Sequence, residues 1–203
     1  QMPGERESLL FGFLQPFLES GVFAGRIVVG SPDPHGPYKA CARDGHYAID
    51  LALALGRYVG LSSEFSVVLD VDAKAAAEHN LIVVGGPGTN LLAQELNAFL
   101  PVRLDIAKSE SGFVCSGILG KTGRHAGEAD GIVARMPNPY APGKMIVRLL
   151  GFRNVGTKAA VLGLTRFPQV ALAHFTGQPR FAAVVRGFDL DGDGKIDSVE
   201  LVE

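Results

Sequence analysis

The stretch Leu81-Ile-Val-Val-Gly-Gly-Pro-Gly-Thr-Asn90, followed by Leu91-Leu-Ala-Gln-Glu-Leu-Asn-Ala-Phe99, decides the fold class. Four branched apolar residues predict a buried strand, the Gly/Pro cluster ends it, and Thr89 or Asn90 then stands where a helix over 91–99 needs its N-cap. A strand that passes through a glycine turn directly into a helix is half of a βαβ crossover. Such crossovers build parallel strand pairs with helices over the sheet faces.

The same order recurs on both sides. Downstream, Lys144-Met-Ile-Val-Arg-Leu-Leu-Gly151 reads as a strand, 152–156 as its turn, and Thr157 to Leu164 as a helix with Thr157 as cap and Ala159, Ala160, Val161 and Leu164 turned inward. Upstream, Arg26-Ile-Val-Val-Gly30 is a strand, 31–37 a Pro/Gly-dense loop, and His46 to Val59 an almost wholly apolar, buried helix. An amphipathic helix over Glu7 to Phe17 precedes them, with Pro16 expected to kink or shorten it. Gly112 to Met136 reads as a hairpin of Phe113 to Leu119 with Gly131 to Met136, joined by Lys121 to Asp130, and Phe181 to Phe188 is the last clear strand. The expectation is one α/β domain over 1–203. It holds a sheet with parallel βα units covered by helices, a β-hairpin region, and a C-terminal strand leading into an Asp-rich, calcium-type loop.

That loop is Asp189-Leu-Asp191-Gly-Asp193-Gly194-Lys195-Ile196-Asp197-Ser-Val-Glu200. Counted from Asp189, carboxylates fall at positions 1, 3, 5, 9 and 12, glycine at 6 and an aliphatic residue at 8. Calcium takes several hard oxygen ligands, and this spacing predicts Asp189, Asp191, Asp193, the Lys195 carbonyl and Glu200 around one Ca2+, with Asp197 bound directly or through water. The alternative is a solvated Asp/Gly turn. A helix-flanked EF-hand switch is not expected, because the segment before the loop is β-rich and only Leu201 to Glu203 follow it. A structural clip between two strands fits better.

Other features carry weaker chemistry. Gly85, Gly86, Gly88 and Thr89 precede a helix and could cradle an anion on free amides, but the full G-x-G-x-x-G spacing is missing. Around Gly156 and Thr157, the run Gly151 to Lys158 resembles a P-loop with its last two residues inverted, which turns the lysine about 100° around the helix. Both turns are equally explained by close packing of helix on strand. Asp70 and Asp72 could sit at a ligand-binding sheet edge or cap a helix over Ala73 to His79. The five histidines show no metal spacing, Cys115 with His125 is a weak nucleophile and base, and Cys41 and Cys115 either pair or are small buried hydrophobes. A net charge of -2 and a pI near 6.2 give no footprint for nucleic acid. No stretch approaches the roughly 18 apolar residues of a membrane span. The first residues do not read as a signal peptide, although Gln1-Met2 could be a junction that hides one.

Taken together, Gly25-Arg-Ile-Val-Val-Gly30, Asn80 to Asn90, Asn138-Pro-Tyr140, Gly156-Thr-Lys-Ala-Ala-Val161 and Val184 to Asp189 resemble the archaeal surface-layer proteins and related secreted envelope proteins. The resemblance covers about half of the chain in scattered blocks, none of them catalytic. It implies an extracellular or cell-surface, non-enzymatic module whose partners are other envelope proteins or further copies of itself, with any anchor outside this stretch. The chain departs from that family in its short length and in the loop from Ser31 to Gly45. A calcium loop suits such a location, because millimolar extracellular calcium saturates weak sites.

Overall fold

A computed structural model of the chain describes residues 4–110 and 112–203, and all of their side chains except those of 5–7 and 113. Gln1-Met2 lies outside the described residues. The three βα units form, but the first helix is shorter than the expected 46–59 and is not buried all round: it spans Tyr47–Leu55 and leaves Ile49 and Leu53 exposed, because only one of its faces meets the sheet. Arg26–Val29 (β1), Val67–Leu69 (β2), Leu81–Val84 (β3) and Met145–Gly151 (β8) are parallel, in the order β8-β3-β1-β2. Beyond β8 the sheet continues with antiparallel Asp130–Pro137 (β7), Phe181–Phe188 (β9) and Ser198–Leu201 (β10), seven strands in all.

Alternation along the strands divides the core. Ile82 and Val84 of β3 join Ile27, Val147, Leu149 and Val185 on one face, under Glu5–Leu18 (α1), Tyr47–Leu55 (α2), Asn154–Thr165 (α4) and Pro168–Ala171 (α5). Leu81 and Val83 join Val28, Ile132, Ile146 and Val184 on the other, under Leu91–Leu96 (α3) and a small antiparallel sheet. With both faces covered, every residue of β3 and β8 is buried.

The expected hairpin is corrected. Gly112–Leu119 (β5), which contains Phe113 to Leu119, pairs with Arg103–Ser109 (β4) and Arg124–His125 (β6) in the small sheet, whereas Gly131 to Met136 belongs to β7 of the main sheet. Both strands are apolar. Their partners are decided by β4, whose polar Arg103, Asp105 and Lys108 hid it as a strand.

Pro16 does not end α1, which runs on to Leu18. Proline cannot bond the carbonyl four residues earlier. That carbonyl, of Gly12, accepts instead from the Arg135 guanidinium of β7 at 3.2 Å, and Phe13 accepts from the same nitrogen at 3.0 Å.

Glu203 ties the two sheets together. Its carboxylate accepts from the amides of Lys121 (2.6 Å) and Thr122 (2.9 Å) and from the Thr122 hydroxyl (2.5 Å), all in the β5–β6 turn. Burial alone would raise its pKa, but the Thr122 hydroxyl, the two amides and His125 outweigh it and hold the carboxyl down to about 2. The stabilisation is therefore present above the ordinary glutamate pKa and is lost as pH falls through about 2. Glu203→Gln is expected to lower stability by about 1.5–3 kcal/mol near neutral pH. Denaturant titration of both proteins from neutral to acidic pH should show that gap closing as the wild-type carboxylate is protonated; a gap independent of pH would mean that the charge is not what binds the turn.

Candidate functional site

Two regions hold the residues singled out in the sequence. The first is the acidic loop, which closes the β9–β10 hairpin at one edge of the main sheet. Asp189 folds it: one of its carboxylate oxygens accepts from the amides of Gly192 (2.7 Å) and Asp193 (3.2 Å), and the other from Gly194 (2.7 Å). Asp191 accepts from the Asp193 amide, Asp193 from the Lys195 amide, and Asp197 from the Leu190 amide at 3.0 Å, so both ends of the loop are pinned. Gly192 and Gly194 both take positive φ, at 81° and 85°, which the tight turn requires. The hydrogen bond from the Gly194 amide above all, with those from Gly192, Asp193 and the Asp191 side chain, holds the Asp189 carboxyl below the usual range against the opposing effect of burial.

One oxygen from each of Asp189, Asp191 and Asp197 lies within 4.8 Å of the others. Asp197, expected to reach an ion directly or through water, is thus in the group. Asp193 and Glu200 lie outside it. Asp193 is exposed beside the Lys195 ammonium at 3.7 Å, and the loop's last turn has become strand, so that Glu200 stands on β10 opposite Arg186. Arg186 in turn grips the fully buried Asp130 through Nε (2.6 Å) and Nη2 (3.0 Å). Lys158 of α4 donates to the Ile196 carbonyl at 2.8 Å, fastening the loop to the helical face.

The second region is a cavity of about 650 Å³ at the carboxyl ends of β1, β3 and β8. The chain leaves β1 toward β2 and leaves β3 toward β8 on the opposite side, so this is the switch point of the parallel strands, where α/β sheets leave a crevice. Gly86, Gly88 and Thr89 line it from one side and Gly151, Arg153 and Thr157 from the other. The two glycine turns, far apart in sequence, therefore meet.

Their roles differ from the expected ones. Asn90, not Thr89, caps α3, accepting from the Ala93 amide at 3.0 Å. The helix α4 begins at Asn154, so Thr157 is buried within its first turn rather than capping it, and Arg153 at the cap position makes no side-chain cap. Gly156 presses the helix onto β7: a Cβ there would collide with the Asp130 carbonyl oxygen. Gly85, at φ 111°, faces the Asp44 carboxylate, which a Cβ would meet at 2.8 Å. Lys158 is not among the residues lining the cavity, consistent with the inverted Thr-Lys order, and reaches the acidic loop instead.

Asp44 is the residue that sequence reading missed. It is 5% exposed and lines the cavity, and its Oδ1 finds no hydrogen-bond partner among the described residues. Burial pushes its pKa up, against the amides of Asp44 and Gly86 and the His46 ring. Its one signal was a carboxylate directly ahead of a glycine and a helix in an otherwise unassigned loop.

Asp70 is a brace rather than a ligand. Its carboxylate accepts from the amides of Ser31 (2.8 Å) and Leu91 (2.7 Å) and contacts His35 Nε2 at 2.8 Å, joining the exit of β1 to the start of α3. Cys41 and Cys115 are free thiols, both on the cavity wall, and burial raises the Cys115 pKa. His125 is not its base: His125 Nε2 faces Glu203 at 3.4 Å. No family model matches the chain, and no curated protein matches it either. Among the described residues, no helix is long and apolar enough to cross a membrane.

Proposed function

We propose that the chain is a non-enzymatic extracellular or cell-surface module, of the surface-layer kind, whose β9–β10 hairpin is clipped by a structural calcium ion. The observation that carries the calcium reading is the convergence of the Asp189, Asp191 and Asp197 oxygens within 4.8 Å, on a loop whose amides are already wound around Asp189. The Lys195 carbonyl and Asp193 complete the oxygen set on this reading, and Glu200 joins it only by leaving its place in the β9–β10 ladder. Without its position-12 carboxylate the site is of the weak, extracellular grade. The ion would neutralise the crowded carboxylates and hold the last two strands on the sheet. Its partners on this reading are other envelope proteins or further copies. The apolar edge beside β2, where Leu61 is 90% and Phe65 84% exposed, suits such contacts.

Calorimetric titration of chelator-stripped protein is expected to show one saturable site, with millimolar calcium adding about 0.4–1.4 kcal/mol of stability. Asp191→Ala should abolish the heat while leaving the apo melting temperature nearly unchanged, since Asp191 holds only one amide of the loop. No heat at millimolar calcium would reduce the loop to a polar turn.

One observation favours a second reading, a phosphate- or nucleotide-binding enzyme or sensor: both glycine turns line one cavity at the switch point. A thermal shift with phosphate ligands, lost in Gly88→Val, supports it; no shift with any of them rejects it.

A further inference from the structure

The main sheet guards its two edges differently. One edge strand, β10, carries Glu200 and follows the acidic loop, and charge of that kind keeps another strand from pairing. The other, β2, is Val67-Val-Leu69, with no charge, proline or bulge. In its parallel ladder with β1, Val67 stands opposite Ile27, whose amide donates to the Ser66 carbonyl. The amides of Val67 and Leu69 and the Val67 carbonyl therefore point away from the sheet.

Apolar side chains surround this edge. Val67 lines a groove of about 580 Å³ with Ala52 and Leu55 of α2 and with Leu61 and Phe65 of the loop between α2 and β2. Ile49, one turn before Ala52 on the helix, is 64% exposed, and Val67 and Leu69 are 39% and 37% exposed. Taking roughly 150–200 Å² for a fully exposed large apolar side chain, these three with Leu61 and Phe65 present on the order of 500–600 Å² per copy. Two such patches facing each other bury about 1,000 Å² of apolar surface alone, and with a polar rim of ordinary size they exceed the area a stable pair needs. Charge does not oppose a second copy. Of the acids on either side of β2 in sequence, Glu64 is paired with Arg26, and Asp70 is held by two amides and His35.

Resting on the reading above that this edge meets further copies, we propose that two copies of the chain pair through β2, antiparallel about a two-fold axis. The outward amides of one copy then meet the outward carbonyl of the other, and Val67 and Leu69 of both lie on one face beside Leu61 and Phe65. A two-fold contact uses the same patch on both copies, so it closes as a dimer and leaves no bare edge. The acidic loop lies at the opposite edge of the seven strands, so pairing and calcium binding are separable.

Sedimentation of the whole chain over a concentration series, in chelator and in millimolar calcium, tests the pairing. The wild type is expected to pass from monomer to dimer at about micromolar concentration in both. Leu69→Lys sets a charge against the apolar strip once in each copy, about tenfold each time, and should raise the dimer Kd about a hundredfold. Phe65→Ser, at an almost fully exposed position, should also weaken the dimer, and it serves where the lysine variant does not fold. A wild type still monomeric about a hundredfold above that concentration overturns the pairing, and calcium binding by the same protein then leaves the structural reading in place. A dimer that neither substitution weakens overturns the β2 contact while keeping self-association. Growth past the dimer overturns the two-fold geometry.

Discussion

Gly156→Ala is expected to destabilise the protein by about 3 kcal/mol or more, against the gain of about 1 kcal/mol that helix propensity alone assigns to the exchange. The two effects have opposite sign, and geometry decides between them. Gly156 lies in the first turn of α4, where alanine is the better helix former. However, the turn rests on the β7 backbone: a Cβ would overlap the Asp130 carbonyl oxygen and come within 3.1 Å of the Gly151 Cα. These are backbone atoms at the ends of two hydrogen-bonded ladders, and the Asp130 carbonyl also accepts from the Phe152 amide, so they cannot swing aside as a side-chain end would. Gly131, facing it from β7, is under the same restriction from the Gly156 carbonyl. The helix must therefore lift off the sheet, loosening Ala159 and Ala160 and opening the cavity wall at Arg153. Denaturant unfolding of Gly156→Ala, with Gly163→Ala as comparison, separates the effects. The nearest atom to a Cβ at Gly163 is the Ala171 methyl, at 3.2 Å, a side-chain contact with room to give. An increase in stability for Gly156→Ala would show that the helix has slack on the sheet.

This pair of glycines also shows how far the sequence could be read. The strands β1, β3 and β8 and the helices after them were legible because each carries three or more branched apolar residues and then a glycine turn, a signal that needs no distant partner. The Asp-rich loop was legible because its Asp/Gly spacing is local. What was not legible depends on contacts far apart in the chain. The polar β4 looked like surface until β5 was seen to pair with it. Glu200 fits a twelve-residue pattern, but the ladder with β9 claims it. Gly156 and Thr157 look like a phosphate turn because the close approach of α4 to β7 demands the same small residues there. Asp44 and Asp70 are both acids just ahead of or at the start of a helical segment, and only the fold shows that Asp70 is well bonded while Asp44 Oδ1 lacks a donor.

Arg148→Met is expected to raise stability by about 1–4 kcal/mol. Arg148 stands in the middle of β8 at 0% exposure, and it is the largest fully buried side chain. One of its nitrogens, Nη2, donates to the Ala93 carbonyl at 2.9 Å, whereas Nε and Nη1 have no partner among the described residues. Burial lowers its pKa to about 9, which still leaves it charged at neutral pH. A guanidinium in this position forfeits its hydration and recovers one hydrogen bond. A long, unbranched methionine fills most of the same space beneath α3 without carrying a charge. Removing it also leaves the Ala93 carbonyl without that donor, at a cost of about 1 kcal/mol, smaller than the desolvation relieved. For a chain of this length the net gain corresponds to a rise in melting temperature of several degrees, at about 2–4 °C per kcal/mol. Thermal unfolding of the two proteins gives the sign directly. A loss of about 3–5 kcal/mol, the penalty for breaking a satisfied buried pair, would mean that Nε and Nη1 are bonded in solution and that water or an anion reaches the centre of the sheet.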